Sequence, residues 1–412
     1  MTPEERRLLF IDMAYTVEIV RAKKHDQFFE MRHSDGYFGR VWAVHPLADA
    51  AGKAGREIET IEYSPRQTVI EGVARAYRLP RFLLPLNFLL SQAKLLRKVA
   101  RLVRKERISL IVATDAFYSG LFSLILKWMT GRPQVVTVLS NQDELYAATG
   151  ALAMPRLLPS RFLEKALARF VLSRADLVIG GNNNNLAFAI ANGARGETAV
   201  IPVAKNIEPA HLADPATRPA PHEILARHGI PAKAPLMLFV GRLLALKHPD
   251  DAVRAMAAAI EQVPEAFGLI AGSGPMQAEL EALTRSLGME GRIRFLGHID
   301  QQELTRIIPH CITLSPLTGM ALIECGLGGS PAVAYDRDWQ AEFVEDGVNG
   351  FVVPFRDHRA MAERAVRLLK DEGLRRRFSQ AMRERALDFA DRDRIYAREH
   401  ALYDRLLERA GR

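Results

Sequence analysis

Short apolar runs alternate with segments of helical periodicity along the second half of this chain. The runs, each long enough for one buried strand, lie at 236–240, 267–271, 292–296, 311–315 and 332–335. The segments between them repeat apolar residues every three or four positions, as amphipathic helices do. Because strands that alternate with helices usually pair in parallel, this pattern predicts a doubly wound parallel sheet covered by helices.

The first half of the chain shows a weaker form of the same alternation. Its candidate strands lie at 7–11, 41–45, 109–113, 134–139 and 175–180. The chain has 412 residues, and one ordinary core holds only ~100 to 200. We therefore predict two Rossmann-like α/β domains, at 1–205 and 235–372, joined by a Pro-rich connection at 206–234. The remainder, 373–412, has periodic Leu, Phe and Tyr among Arg and Glu, which predicts helices.

Composition narrows the class of protein. The chain is 48% hydrophobic and 25% charged, which is typical of a globular protein and argues against collagen-like, disordered and polytopic membrane classes. No apolar run approaches the ~18 residues that a membrane span needs. The two cysteines, Cys311 and Cys325, and a charged N-terminus without an apolar run argue against a disulfide scaffold and secretion. We expect a cytoplasmic location.

Positive charge is concentrated in the first half of the chain. Residues 1–200 carry 28 Lys and Arg against 19 Asp and Glu, whereas residues 201–412 carry 28 against 29. This asymmetry suggests that the first domain meets a polyanion. Nucleic acid is disfavoured, because aromatic residues do not alternate with the cations and no recognition motif occurs.

The segment 79–107 concentrates this charge on one predicted helix. The cations recur at helical spacing on one face: Lys94, Arg97, Lys98, Arg101, Arg104 and Lys105. Another face carries apolar residues: Leu95, Val99, Leu102 and Val103. Such a helix can lie on an anionic membrane surface, as a peripheral contact on its inner face. Alternatively, its apolar face packs on the sheet and its cations are solvated.

Two cations follow the first strand of the second domain. Gly241 and Arg242 come directly after 236–240, and Lys247 lies in the same loop. Ligands of open parallel sheets bind at the carboxyl ends of strands. An arginine fork with a lysine point charge could neutralise a diphosphate leaving group without a metal ion. The alternative is that both are ordinary surface cations.

Glycine-containing turns follow two further strands. Gly272 and Gly274 allow a tight turn before a predicted helix, although the pattern is not the dinucleotide fingerprint. The segment Thr318-Gly319-Met320-Ala321 precedes another helix, whose N–H groups can face an anion. We expect Glu324 in the first turn of that helix. There its carboxylate could accept hydrogen bonds from a vicinal diol, or simply complement the helix dipole.

The order of these motifs, ending in the segment 339–354, resembles the C-terminal half of retaining glycosyltransferases of the GT-B architecture, often called glycosyltransferase family 4. The likeness covers roughly residues 236–370. It implies an α/β fold in which two doubly wound Rossmann-like domains face each other across a cleft. The first would bind the acceptor, the second would bind the donor, and the C-terminal helices could cross back to the first.

The resemblance also implies a reaction and roles for the motifs. The donor would be a nucleotide sugar, UDP- or GDP-linked, used as co-substrate without a metal or other cofactor. Arg242 and Lys247 would contact its diphosphate, the Gly319 loop the donor, and Glu324 the ribose hydroxyls. A hexosyl or related sugar would pass, with retention of configuration, to a glycan, glycolipid or other lipid-linked acceptor, as in polysaccharide biosynthesis.

One departure from the family pattern concerns the transferred sugar. The family usually has a second glutamate eight residues before the ribose-binding one, but here that position is Pro316. Either another carboxylate contacts the sugar, with Asp336 and Glu342 as candidates, or the chain belongs to a divergent branch. The rival function is a nucleotide-sugar-binding regulatory protein that has lost transfer activity.

Metal-dependent glycosyltransferases of another fold use an Asp-x-Asp pattern, which the chain contains twice, as Asp336-Arg337-Asp338 and at 391–393. This pattern is common by chance, and the loop after 332–335 fits the metal-free family better. We therefore expect no metal site.

The first domain resembles the family only in its layout. Its polar residues nearest to predicted strand ends are Asp12, His33, Asp115, Asn141 and Asp143. These are candidates for the acceptor side. Each could equally be a helix cap or a satisfied turn residue.

Overall fold

The computed structural model describes residues 2–23, 27–51, 55 and 57–411. The chain divides into two units, each with its own sheet and core. Unit 1 comprises Met1–Val203 together with Asp393–Arg412, and unit 2 comprises Ala204–Arg392. The Pro-rich stretch after residue 203 and the chain up to residue 392 therefore belong to unit 2.

The sheet of unit 1 is mostly parallel. Its strands are β1 (Arg7–Ile11), β2 (Arg40–His45), β3 (Glu59–Ser64), β4 (Gln67–Glu71), β5 (Leu110–Ala113), β6 (Gln134–Val138), β7 (Leu177–Gly180) and β8 (Glu197–Val200). They lie in the order β3-β4-β2-β1-β5-β6-β7-β8. Only the pairing of β3 with β4 is antiparallel among these described strands. The strand order reverses between β1 and β5, which makes this the switch point of the sheet.

Helices cover both faces of this sheet. They are α1 (Val17–Lys23), α2 (Gln27–Glu30), α3 (Leu84–Lys105), α4 (Tyr118–Thr130), α5 (Gln142–Thr149), α6 (Arg161–Leu172), α7 (Asn183–Ala191) and the C-terminal α17 (Arg392–Ala410). Helix α3 buries Leu95, Val99 and Val103 in one core cluster with residues of β1, β2 and β5. Burying each such side chain contributes about 2 kcal/mol.

The C-terminal helix α17 packs on residues near the start of the chain. Tyr37 stacks on His400 at 4.4 Å between ring centroids, and its hydroxyl donates to the Asp404 carboxylate at 2.8 Å. Arg6 pairs with the same carboxylate at 3.1 Å. Ser34 donates to Glu399 at 2.6 Å. These contacts place the last residues of the chain in unit 1.

Unit 2 contains a fully parallel sheet. Its strands are β9 (Leu236–Val240), β10 (Phe267–Ala271), β11 (Ile293–Gly297), β12 (Cys311–Ser315), β13 (Ala332–Tyr335) and β14 (Gly350–Val353). Their order is β11-β10-β9-β12-β13-β14, so the switch point lies between β9 and β12. The helices are α8 (Pro209–Leu212), α9 (His222–Arg227), α10 (Pro249–Gln262), α11 (Gln277–Ser286), α12 (Gln301–Ile307), α13 (Met320–Leu327), α14 (Gln340–Phe343), α15 (His358–Lys370) and α16 (Glu372–Phe389).

The predicted strands of both halves are present within two residues of their expected bounds. The patterns missed β3, β4, β8 and β14. Three of these, β3, β8 and β14, lie at sheet edges. Polar residues interrupt the apolar pattern of β3 and β8, because one side of an edge strand is open to solvent, whereas β14 is a short apolar run of four residues. Pro249 is the first residue of α10, and α11 begins at Gln277.

Candidate functional site

The loops after β9 and β10 are bound to each other through their backbones. The N–H groups of Gly241 and Leu243 donate to the carbonyls of Ala271 and Ser273, each at 3.0 Å. A β-carbon at Gly272 would overlap the Gly241 carbonyl oxygen, and φ at Gly272 is +144°. A β-carbon at Gly274 would lie 2.5 Å from the Leu243 carbonyl oxygen. These glycines therefore allow a close approach of two backbone segments, which holds the loop that carries Arg242.

Lys247 reaches across the switch point of unit 2. The loop after β9 ends in a 3₁₀ turn, Ala245–Lys247, and the loop after β12 leads through Gly319 into α13. The Lys247 Nζ atom lies 3.1 Å from the point where a β-carbon on Gly319 would be. Gly319 has φ of +73°, a conformation that side chains rarely adopt. Two separate sequence motifs thus meet at the edge of the sheet where doubly wound folds bind ligands.

The electrostatics of Lys247 fit an anion site. Burial lowers its pKa below the ordinary lysine value, nearby Arg242 lowers it further, and Asp338 partly opposes the shift. Two cations held close together in a partly desolvated loop repel each other. An anion bound between them would relieve that repulsion. The first N–H groups of α13, at Met320 and Ala321, lack partners within their helix and add a positive end to the same place.

Glu324 lies in the second turn of α13, so its expected position in the first turn was wrong. Helix α13 begins at Met320, and no acidic residue lies in its first turn. Glu324 is five residues beyond Gly319, or about 7 Å along the helix axis. Burial raises the pKa of Glu324, with His211 opposing the shift and Glu208 adding to it. The backbone of Glu324 therefore lies about one and a half helical turns beyond Gly319, the residue that Lys247 approaches.

A buried polar network fixes the loop before α13. The hydroxyls of Ser315 and Thr318 are 2.6 Å apart, and Ser315 donates to the Gln340 side-chain carbonyl at 2.5 Å. The Gln340 amide donates to the Pro316 carbonyl at 2.8 Å. The Thr318 hydroxyl thus points into the protein. Sequence patterns missed Ser315 and Gln340, because an isolated serine and glutamine carry no recognisable spacing.

A second supporting cluster holds the turn that follows Lys247. His248 has φ of +48° and hydrogen-bonds Arg356, which also pairs with Asp251 at 3.2 Å. The buried Tyr335 hydroxyl donates to Asp251 at 2.8 Å. Burial raises the pKa of Asp251, and its hydrogen bond from Tyr335 opposes the shift. These residues join the start of α10 to the ends of β13 and β14, and so fix the position from which Lys247 projects.

Two family models match the chain. The glycosyl transferase 4-like domain matches residues 38–204, and glycosyl transferases group 1 matches residues 222–385. The chain belongs to the group 1 glycosyltransferases. The second match includes the Lys247, Gly319 and Glu324 positions.

One curated relative and two solved structures are similar to the chain. The chain is 30% identical to alpha-D-kanosaminyltransferase of Streptomyces kanamyceticus over 167 residues, which are 38% of this chain and 42% of that relative. Sucrose-phosphate synthase of Thermosynechococcus elongatus superposes with a TM-score of 0.70 at 20% identity, covering 98% of this chain and 99% of the other. Anabaena HepE in complex with UDP gives 0.71 at 18% identity, covering 97% and 99%. The predicted fold class, α/β with two Rossmann-like domains of the GT-B type, is confirmed.

The predicted acceptor-side candidates make local contacts within unit 1. Asp12 is buried after β1, where it accepts from Arg32 at 2.8 Å and from the Ala14 N–H at 2.8 Å. The His33 ring nitrogen lies 3.2 Å from the Phe38 carbonyl before β2, and burial lowers its pKa. Arg32, the partner of Asp12, is the residue that directly precedes His33 in the chain.

Asn141 and Asp143 share one region near the start of α5. Asn141 caps this helix by accepting from the Glu144 N–H at 3.2 Å. Burial would raise the pKa of Asp143, but hydrogen bonds from Asn192, Arg161 and Lys165 outweigh it and lower the pKa. Asp115 accepts from the Phe117 N–H at 2.7 Å, and burial raises its pKa. The structure thus shows a cap and ion-pair contacts, as the alternative interpretation allowed.

The apolar face of α3 packs on the sheet. Leu95, Val99 and Val103 are fully buried and Leu102 is half-buried, so these four residues do not face a membrane. The sequence patterns missed a second feature at the other end of the helix, where Leu86, Leu89 and Leu90 are exposed. Within the described residues, no helix combines the length and hydropathy that crossing a bilayer requires.

The candidate sugar-side carboxylates differ in position. Asp336 is exposed directly after β13, and Glu342 is half-buried in α14. The structure adds Asp338, which is exposed, has φ of +56° and interacts electrostatically with Lys247. In the parts of the chain that are described, no group of three or more His, Cys, Asp or Glu side chains is arranged to hold a metal ion.

Proposed function

We propose that this protein transfers a sugar from a UDP- or GDP-linked nucleotide sugar to an acceptor, with retention of configuration at the anomeric carbon. The observation that carries the proposal is the contact of Lys247 with the Gly319 loop at the switch point of unit 2. Family membership supports it, as does the UDP bound by the structurally similar Anabaena HepE. We place the donor in unit 2.

In this proposal, unit 2 stabilises the leaving group. The bond between the anomeric carbon and the phosphate oxygen breaks, and negative charge develops on the diphosphate. Arg242, Lys247 and the N–H groups at the start of α13 would receive that charge. The acceptor oxygen forms its bond on the same face of the sugar and passes its proton to the departing phosphate. Glu324 would accept hydrogen bonds from the ribose hydroxyls and so hold the nucleoside.

Asp338 is our candidate for the carboxylate that contacts the transferred sugar, ahead of Asp336 and Glu342. It follows β13, the neighbour of β12, and its charge acts on Lys247. Its left-handed backbone conformation is uncommon for a residue other than glycine, and such conformations are often found at functional sites. We expect Asp338→Asn to reduce turnover while nucleotide affinity stays near the wild-type value.

We also propose a peripheral contact of unit 1 with the cytoplasmic face of an anionic membrane. The exposed leucines of α3 lie at its N-terminal end, and exposed cations, including Lys94, Arg97 and Arg101, continue along its outer surface. Each cation near an anionic surface contributes about 1 kcal/mol. The fraction of protein that sediments with phosphatidylglycerol vesicles should be lower at high salt, and lower for an Arg97→Ala/Arg101→Ala variant.

A panel of nucleotide sugars tests the proposed function. Release of UDP or GDP would be measured for the wild type, Lys247→Ala and the control Lys233→Ala, whose lysine is exposed away from the site. We expect release that Lys247→Ala abolishes and Lys233→Ala preserves, and NMR of the product should show the donor's anomeric configuration. Nucleotide-sugar binding without release for any acceptor would favour the regulatory protein instead.

A further inference from the structure

A large cavity lies at the carboxyl ends of β1, β2 and β4 in unit 1. Its volume is about 960 Å³, near the upper end of ligand pockets. Met13, Leu47 and Ala74 line it from the loops after these strands. Leu84 and Phe88 line it from the first turns of α3, and the segment 154–157 closes another side. The cavity therefore occupies the edge of the sheet at which a doubly wound fold binds its ligand.

The wall of this cavity is apolar apart from three charged side chains. Asp49 uses both carboxylate oxygens to accept from the Ala74 N–H, at 2.9 and 3.0 Å. The other two, Arg75 and Arg156, are exposed. Within the described residues, no carboxylate pairs with either guanidinium. A free glycan would need many hydrogen-bonding side chains, and this wall offers it few.

The apolar wall continues onto the outer surface of the helix. Leu89 lines the cavity and is also 63% exposed. Phe82, just before α3, is 81% exposed, and Leu86 and Leu90 are exposed on the same helix. A contiguous exposed apolar surface of this kind marks a binding site for an apolar partner. A ligand with a long apolar chain could leave the cavity along this surface without entering water.

We propose that this cavity binds a lipid phosphate, with its apolar chain against α3 and its phosphate or diphosphate between Arg75 and Arg156. Guanidinium forks match phosphate oxygens in two-pronged geometry, and two of them match the charge of a diphosphate. The assignment of this lipid as the sugar acceptor rests on the proposed function. Binding of the lipid phosphate does not.

Calorimetry with geranyl diphosphate, geraniol and inorganic diphosphate tests the site. We expect the full chain to bind geranyl diphosphate at least tenfold more tightly than either fragment, because both parts of the cavity are then occupied. Arg75→Ala and Arg156→Ala should each weaken binding about tenfold, a typical loss for one charge-assisted contact. The control Arg169→Ala removes an exposed α6 cation outside the cavity and should leave affinity unchanged.

The location of the probe is tested separately, because a diphosphate could also bind near Lys247. Calorimetry is therefore repeated in a Lys247→Ala background, and a diazirine-bearing geranyl diphosphate is cross-linked and mapped by mass spectrometry. Cross-links to residues 84–89 or 154–157 support the proposal. Cross-links confined to unit 2, or equal binding of inorganic and geranyl diphosphate, would overturn it.

Failure of this inference can be distinguished from failure of the proposed function. If geranyl diphosphate binds at α3 but no nucleotide sugar is consumed with any lipid phosphate, the cavity assignment stands and the transfer reaction does not. If sugar passes to a soluble glycan while geranyl diphosphate fails to bind, the transfer reaction stands and the lipid-phosphate site is refuted. Vesicle binding that requires Leu86 and Leu90, without cross-links to the cavity, would also refute the site.

Discussion

The switch points of the two sheets have the same topology and different side chains. In unit 2, the loops beyond β9 and β12 contain Gly241, the half-buried Lys247 and Gly319, which leads into the start of α13. In unit 1, the residue beyond β1 is Asp12, which is buried against Arg32. The fold thus provides a switch point, where a ligand can bind, in each of the two sheets. In unit 2 the cations lie in the loop directly beyond β9, whereas in unit 1 the first charged residue beyond β1 is already paired, and the exposed Arg75 and Arg156 lie in loops further from the switch point.

Breaking the Asp12–Arg32 pair should have the largest effect on stability. Removing one partner leaves a buried charge uncompensated, so we expect Asp12→Ala to lower the free energy of unfolding by about 3 to 5 kcal/mol. Urea denaturation of the full chain measures this. The double variant Asp12→Leu/Arg32→Met removes both charges and should recover much of the loss. If Asp12→Ala keeps the wild-type free energy of unfolding but no longer transfers sugar to an acceptor, Asp12 would instead be an acceptor-side residue.

Removing the charge of Lys247 should have the largest effect on catalysis. Loss of one preorganised contact to a leaving diphosphate typically costs about 3 kcal/mol of barrier, so Lys247→Ala should lower kcat/KM about 100-fold or more. Lys233→Ala, which removes an exposed lysine of the same unit, should remain at the wild-type rate. Equal rates for the two variants would contradict a role for Lys247.

Disrupting the backbone contact between the β9 and β10 loops should have a smaller effect, on stability. Gly272→Ala forces a β-carbon against the Gly241 carbonyl oxygen, so we expect a loss of about 2 to 3 kcal/mol. Gly291→Ala is the matched control, because a β-carbon there meets no atom within 4 Å. Thermal unfolding would compare the two. Similar melting temperatures would show that the two loops separate easily.

The smallest expected effect is a shift in the pH at which kcat/KM declines on the alkaline side. Because the pKa of Lys247 is lowered, its positive charge is lost at a lower pH than that of an ordinary lysine. As the pH rises, kcat/KM should therefore decline below the pH at which an ordinary lysine loses its charge. Lys247→Arg keeps its charge throughout this range and should move the decline to higher pH. An unchanged alkaline limb in Lys247→Arg would assign the decline to another group.

Much of the fold was predictable from sequence, because buried parallel strands form continuous apolar runs. The bounds of β1, β9, β10, β12 and β13 agree with their apolar runs. The edge strands β3 and β8 were missed because solvent on one side allows polar residues there, whereas β14 is apolar but only four residues long.

The candidate site was predictable only in its loop motifs. Local spacing identified Lys247 and Gly319, and the structure brings them together. It could not identify Ser315 or Gln340, because their contact joins residues far apart in sequence. It gave Asp338 only as part of an Asp-x-Asp pattern, because the backbone angle of Asp338 and its interaction with Lys247 depend on the folded structure. The lipid-phosphate cavity was invisible for the same reason, since its wall combines separate loops with the first turns of α3.

A crystal structure of the chain with UDP tests the central claim most directly. We predict that diphosphate oxygens lie within hydrogen-bonding distance of Lys247 Nζ and the Arg242 guanidinium, at about 2.7 to 3.2 Å. In the same structure, the Glu324 carboxylate should accept from the ribose hydroxyls. UDP bound away from the switch point of unit 2, or with Lys247 and Glu324 on no common ligand, would contradict the account.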